Sequence, residues 1–260
     1  SVTSAIVSEF SADTFSIDRR GVITNEEEFE ATRNNPRVTM KDADAVKRLT
    51  TLVSSVMATA YGNASIRYRE HLMESVSLRG VTREYLNFSN YTIEKGRLIS
   101  PTEIDANRPV ALLGWGVADR LFKEVDPVDK EISIGGIHFR VVGVAEKKGS
   151  IFGSDQDEYA IVPIKTIRRF FGGRQSLLLT AKPIHPSLTK AAMEDTRVAL
   201  RVHRGLKPKE KDNFGLLSSD TFLQLYESIT KNIFMVLIGV VALSLVVGGI
   251  VIMNIMLMVV

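Results

Sequence analysis

Residues 233–260 read IFMVLIGVVALSLVVGGIVIMNIMLMVV, without a single Asp, Glu, Lys, Arg or His. Only Gly239, Ser244, Gly248, Gly249 and Asn254 fall outside the hydrophobic set, so 23 of these 28 positions are apolar. An uncharged stretch of at least about 18 apolar residues reads as a membrane-spanning helix. Its place at the C-terminal end and its length exclude a signal peptide. Working backward, no Pro or loop signal separates Ile233 from Ser219, and Phe222, Leu225, Tyr226 and Ile229 make an apolar stripe at helical spacing. The pattern predicts one helix over 219–260, roughly 63 Å long at about 1.5 Å per residue. Only about 30 Å of that is needed to cross hydrocarbon. Residues 219–232 are therefore expected to form a stalk, and the shared rod is expected to act as a lever. Within the apolar run, Ser244-x-x-x-Gly248 with Gly249 alongside is a small-residue spacing that lets helices approach closely, and Asn254 is a polar side chain at depth. These four are the candidate packing residues; Phe222, Leu225, Tyr226 and Ile229 are the candidate stalk-coupling residues.

All 33 basic and 30 acidic side chains lie in residues 1–232, which makes that part an ordinary globular polymer. A net charge of +3 with mixed signs lacks the concentrated basic face of a nucleic-acid binder. With no cysteine there is no disulfide framework, Cys-based metal site or thiol nucleophile. The chain has no initiator Met and stops within the apolar run, so a segment of a longer membrane protein is expected.

Local signals divide residues 1–218. Phe15 and Ile17 alternate with polar residues, as in a half-buried strand. The polar stretch 21–38, with Glu26-Glu27-Glu28 and Asn34-Asn35-Pro36, reads as a loop. Thr39 and Asp42 form a capping-box start for a helix carrying Val46, Leu49 and Leu52 or Val53 on one side. Alternation over Ala64–Leu78 predicts two strands joined near Glu70–Met73, and a new unit is expected after Asn87. Ser100-Pro101-Thr102-Glu103 is a capping box with Pro at the first helical position. A short strand over Pro109–Leu113, a helix over Trp115–Phe122 and a Gly135-Gly136 hairpin follow. The segment 146–158 reads as a loop before a strand over Tyr159–Ile164. Ser187 opens a helix with Leu188, Ala191, Ala192, Val198, Ala199 and Val202 as its stripe, ended by Gly205.

Catalytic patterns are missing. His71, His138, His185 and His203 are scattered, without metal-ligand spacing. Asp155-Gln-Asp-Glu158 lacks the Gly and trailing Glu of a calcium loop. The segment Gly143–Ser150 lacks the Gly-Lys-Ser/Thr order of a phosphate loop, and Ser150 is misplaced for a nucleophile elbow. Arg168-Arg169 and Lys207-Pro-Lys-Glu-Lys211 read as a solvated helix face and a solvated turn, with anionic lipid head groups as the other reading. No catalytic, cofactor or metal residue is therefore nominated.

Several motifs, taken in order, resemble one family. They are Thr14-Phe-Ser-Ile-Asp-Arg-Arg-Gly21; Leu78-Arg-Gly80-Val-Thr82 with Tyr85-Leu86; Gly96-Arg97 leading to Ser100; Val110-Ala-Leu-Leu-Gly114 with Leu121-Phe122; Phe139-Arg-Val-Val-Gly143-Val144; Val162-Pro163-Ile164; and Leu245-Val-Val-Gly-Gly249-Ile-Val-Ile-Met253-Asn254-Ile-Met256. The chain resembles the extracytoplasmic core domain and second transmembrane helix of MacB-type ABC transporter permeases, of the FtsX-like permease family. Segments 21–38 and 146–158 fall outside the match. The resemblance implies an α+β fold with a porter-like α/β subdomain from 1–88 and 174–218 and an inserted small strand-rich subdomain over 89–173. A stalk helix at 219–232 and a transmembrane helix at 233–260 would follow. It further implies a non-enzymatic permease in the bacterial inner membrane, with residues 1–232 mostly periplasmic. ATP would bind an ABC ATPase domain or subunit outside this chain, and the permease would act as a homodimer in the lipid bilayer. A periplasmic adaptor and an outer-membrane channel would serve export. The alternative is a signalling or regulatory relative that controls a cell-wall hydrolase or senses a peptide.

Overall fold

A computed structural model describes residues 14–21, 26–88, 92–151, 154–173 and 175–259. Residues up to Leu217 form one unit and Ser218 onward a second.

In the first unit, β1 (Phe15–Asp18) precedes α1 (Glu26–Arg33) and α2 (Met40–Leu49), then the long strands β2 (Val53–Tyr68) and β3 (His71–Val81) and a 3-10 turn at Arg83–Asn87. Next come β4 (Ile93–Gly96), α3 (Pro101–Asp105), β5 (Val110–Leu113), α4 (Trp115–Phe122), β6 (Glu131–Ile134) and β7 (Ile137–Ala145). Two short strands, β8 (Ser150–Ile151) and β9 (Ser154–Asp155), lead to β10 (Tyr159–Pro163), α5 (Ile164–Phe171), β11 (Leu178–Pro183), a 3-10 turn at Pro186–Leu188, α6 (Thr189–His203) and β12 (Gly215–Ser218). Helix α7 (Ser219–Val259) is the second unit's element.

One sheet runs β12-β1-β11-β2-β3-β10-β5-β7-β4, with β6 beside β2 and β7. Strands from the expected inserted segment and from the segments around it thus share a sheet, joined where β10 pairs parallel to β3. Both sheet faces are covered, and alternation assigns residues to each. On β10, Ala160 and Val162 belong to the core cluster that also holds Val46 of α2, Leu121 of α4, Ile167 of α5 and Leu200 of α6. Tyr159 and Ile161, pointing the other way, pack with Tyr85, Ile99 and Ile104. The α+β class agrees with these layers.

Several expectations hold. The Gly135-Gly136 turn has φ of +54° and +86° and joins β6 to β7 as Ile134↔Ile137. Ser100 Oγ accepts from the Glu103 N–H (3.3 Å) while the Glu103 carboxylate accepts from the Ser100 N–H (2.9 Å). Other expectations need correction. Residues 26–33 of the expected loop form helix α1 without a buried residue. Glu26, Glu27 and Glu28 occupy its first turn, where they complement the helix dipole. Arg19 closes the far end by donating to the Arg33 and Asn35 carbonyls, both at 2.6 Å. Helix α2 ends at Leu49, so Leu52 and Val53 lie beyond it and β2 begins eleven residues before the alternation signal at Ala64. The opening 3-10 turn before α6 is capped by His185 Nδ1, which accepts from the Ser187 N–H. The loop 146–158 contains β8 and β9.

Glycine permits a close helix-to-sheet contact. A Cβ at Gly80 on β3 would run into the Ile167 side chain and stand 3.1 Å from the Ile164 Cα. Gly80→Val is therefore expected to destabilise the fold by about 2–3 kcal/mol, read as a lower urea midpoint at unchanged slope. An unchanged midpoint would mean α5 does not sit against the sheet as described.

Candidate functional site

Helix α7 is a single 41-residue α-helix, and Ile233–Ile250 is long and apolar enough to cross a membrane. Its described large apolar side chains from Ile233 to Met256 are exposed, from 49% at Ile250 to 71% at Leu245. Continuous apolar surface of that extent suits hydrocarbon or another helix and not water. All eight nominated residues lie on this helix. Ser244 Oγ donates to the Val240 carbonyl (2.9 Å), which satisfies the hydroxyl within its own helix. At Gly248 and Gly249 a Cβ would meet nothing within 4 Å. The side chains of Phe222, Leu225, Tyr226, Ile229 and Asn254 lie outside the described residues, so the structure gives these positions a helical backbone only.

The first unit holds charged groups that composition could not place. Asp42, the third residue of α2, is 4% exposed. Its Oδ2 accepts from the Thr39 N–H (2.8 Å) and hydroxyl (2.9 Å), and its Oδ1 accepts from Arg204 Nε (2.9 Å) at the end of α6. Burial alone would raise the Asp42 carboxyl, but these donors outweigh it and hold the group below the usual carboxylate range. The pair joins two helices that 162 positions of sequence separate.

A second pair organises the opposite sheet face. Arg97 grips Glu103 with two bonds of 2.8 Å, and the Tyr85 hydroxyl donates to the Ile99 carbonyl (2.9 Å). Burial raises the Tyr85 hydroxyl. The Arg97 bonds lower the Glu103 carboxyl to about 2. Because the folded value is depressed, the pair's contribution is present above the unfolded pKa near 4.5 and is lost as pH falls towards 2. Glu103→Gln is expected to flatten the stability curve between pH 4.5 and 2, with a difference of about 2 kcal/mol at neutral pH given the solvent around Arg97. Parallel acid curves for the two proteins would contradict this.

Asp157, 3% exposed, ties the 146–158 loop to α4. Its carboxylate accepts from the Lys148 and Gly149 N–H groups at 2.8 Å, and its carbonyl accepts from the Gly116 N–H at 3.1 Å. Lys147 Nζ lies over the Trp115 ring at 4.0 Å. Among the described residues no three or more His, Asp and Glu stand where they could hold a metal ion. His138 and Glu131 meet at 3.9 Å on the exposed β6–β7 hairpin. Sequence reasoning found Glu103 and Asp42 as capping residues but missed their arginine partners.

Helix α6 also differs from its expected stripe. Ala192, Thr196, Ala199 and Leu200 face inward, whereas Val198 and Val202 are 60% and 68% exposed.

A family model described as the MacB-like periplasmic core domain matches residues 1–197. The chain is 32% identical over 224 residues to the macrolide export ATP-binding/permease protein MacB of Rhodospirillum rubrum, covering 85% of this chain and 33% of that protein. It is 34% identical over 205 residues to the like-named protein of Chlorobaculum tepidum, covering 76% and 31%. The chain thus spans about a third of the length of the curated relatives it matches. Its fold is similar to the periplasmic region of MacB from Actinobacillus actinomycetemcomitans, with a TM-score of 0.68 at 21% identity over 85% of this chain and 95% of that one. It is also similar to the extracellular domain of the noncanonic ABC-type transporter YknZ from Gram-positive bacteria, with a TM-score of 0.63 at 18% identity over 79% and 100%. With three-quarters of its residues matched by that model and two solved domains sharing its fold, the chain belongs to the family of proteins with a MacB-like periplasmic core domain.

Proposed function

We propose that this chain is part of the permease of an ABC-type export system, in which cytoplasmic ATP binding and hydrolysis move an extracytoplasmic domain. The observation that carries the reading is the unbroken helix α7. At about 1.5 Å per residue its 41 residues measure roughly 62 Å, about twice the hydrocarbon thickness. A hydrogen-bonded rod of that length can deliver movement from one side of a bilayer to the other. The relatives' names, ATP-binding/permease protein, support an ATPase domain or subunit as the energy source outside these residues. In this reading the chain itself is non-enzymatic, residues 1–217 lie on the periplasmic side of the inner membrane, and 219–232 are the stalk. The small-residue spacing Ser244-x-x-x-Gly248 with Gly249 supports close packing of another helix there, with Asn254 bonding across the contact. Two copies of the permease, an adaptor and an outer-membrane channel complete an export path.

Residues 1–260 lack cysteine, so a single cysteine introduced here into an otherwise cysteine-free permease reports topology. Lys209→Cys is exposed and should react with a membrane-impermeant maleimide in cells whose outer membrane is opened. Protection until the inner membrane is lysed would overturn the assigned orientation. The functional test is ATP-driven export by the assembled complex with α7 interrupted in its stalk. Export that survives the interruption would overturn transmission, and retention of a cell-wall hydrolase instead of an export partner would carry the regulatory reading.

A further inference from the structure

Between the end of α6 and β12 the chain makes an eleven-residue excursion, 204–214, without regular structure. Helix α6 ends in a Schellman motif: Gly205, at φ +65°, donates to the Val202 carbonyl (3.2 Å) and Leu206 to the Arg201 carbonyl (3.0 Å). Beyond it, three arginines of α6 and its cap take over. Arg201 Nη2 donates to the Lys207 carbonyl (2.6 Å), and its Nη1 donates to the Glu210 carbonyl (2.9 Å) and Asp212 Oδ1 (2.5 Å). Arg197 Nε meets the other Asp212 oxygen at 3.1 Å. Arg204 Nη1 donates to the Asn213 carbonyl (3.0 Å) and side chain (2.9 Å), while its Nε holds Asp42 and its guanidinium lies over the Phe214 ring at 5.5 Å. Positions 197, 201 and 204 repeat at helical spacing, so one edge of α6 presents all three forks. Phe214 belongs to the main core, and Gly215 opens β12, after which Ser219 begins α7.

We propose that Arg197, Arg201 and Arg204 are positioning residues that clasp the 206–214 segment to the α2–α6 helical layer, so that displacement arriving along the chain from α7 is passed to that layer and not absorbed by a slack loop. This rests on the transmission reading above. The chemistry fits a clasp: loop carbonyls that would otherwise bond water accept from fixed guanidinium forks, and a fork loses less freedom per bond than a lysine would. The basic run Lys207-Pro-Lys-Glu-Lys211 thereby contributes backbone carbonyls to a protein contact through Lys207 and Glu210.

The test uses the full chain in lipid nanodiscs, with Arg201→Gln and, independently, Asp212→Asn. Arg201→Gln removes three bonds from partly exposed positions and leaves the Asp42–Arg204 pair intact, so the fold survives. Hydrogen exchange of amides 206–218 should accelerate at least about tenfold in Arg201→Gln and less in Asp212→Asn, with β5, β7 and β10 unchanged. Unchanged exchange over 206–218, or acceleration spread over the whole sheet, overturns the clasp. In the ATP-driven complex Arg201→Gln should lower export per ATP hydrolysed. Local acceleration with normal export coupling overturns the positioning role; if interruption of α7 also leaves export normal, the transmission reading itself has failed.

Discussion

Leu225→Pro is expected to abolish export while leaving ATP hydrolysis and membrane insertion near their original levels. The reason lies in the backbone. Position 225 falls in the seventh residue of α7, 25 residues before the end of the Ile233–Ile250 span. Proline there removes the N–H that bonds the carbonyl four residues earlier, and its ring clashes with that carbonyl, at a cost of about 3 kcal/mol in a helix interior. Such a residue kinks a helix by more than about 20°. The span itself keeps every apolar residue and still inserts. A kinked stalk yields when pushed, so ATP is spent and the periplasmic domain stays put. Leu225→Ala keeps the helix and should export nearly as well. Measuring hydrolysis and export on the same reconstituted complex separates uncoupling from loss of the ATPase, and export by the proline variant would contradict the rod.

Arg204→Ala is the stability counterpart, with an expected loss of about 3–4 kcal/mol. Arg204 and Asp42 side chains are 8% and 5% exposed. Removing the guanidinium leaves a buried carboxylate without its charge partner, which costs more than the pair is worth. It also releases the Asn213 carbonyl and the ring contact with Phe214. For a unit of this size the thermal midpoint should fall by about 10 °C. Adding Asp42→Asn should restore part of the loss, because the stranded charge disappears. A double variant no more stable than the single one would show that Asp42 tolerates isolation.

The regular elements were legible where a local rule fixes them. Gly135-Gly136, the Ser100–Glu103 box and the uncharged run from Ile233 each state their structure within a few residues. Helix α1 was hidden because it buries nothing; its charges cap its dipole, and Arg19 completes it from outside the helix. The start of β2 was hidden because its stretch Val56–Ala60 is buried on both faces, where alternation between apolar and polar fails. Helix α6 misled differently: Val198 and Val202 sit at core-like spacing yet face outward, since the helix packs on α2 and buries Ala192, Thr196, Ala199 and Leu200 instead. The Arg204–Asp42 contact joins positions 162 apart, which no window of sequence shows. The membrane helix was readable in full as a helix, whereas the coupling role proposed for it rests on its length and on experiment at that element.

In the proposed transmission, nucleotide state in the cytoplasm changes the arrangement of the periplasmic domain through α7. Spin labels at Lys209→Cys on two copies of the permease, in the complete complex with its ATPase, measure this directly. The interlabel distance is expected to shift by at least about 5 Å between the nucleotide-free and ATP-trapped states, as rigid-body movements of domains do. Leu225→Pro is expected to remove the shift. Identical distance distributions in both states, with ATP demonstrably bound, would contradict it.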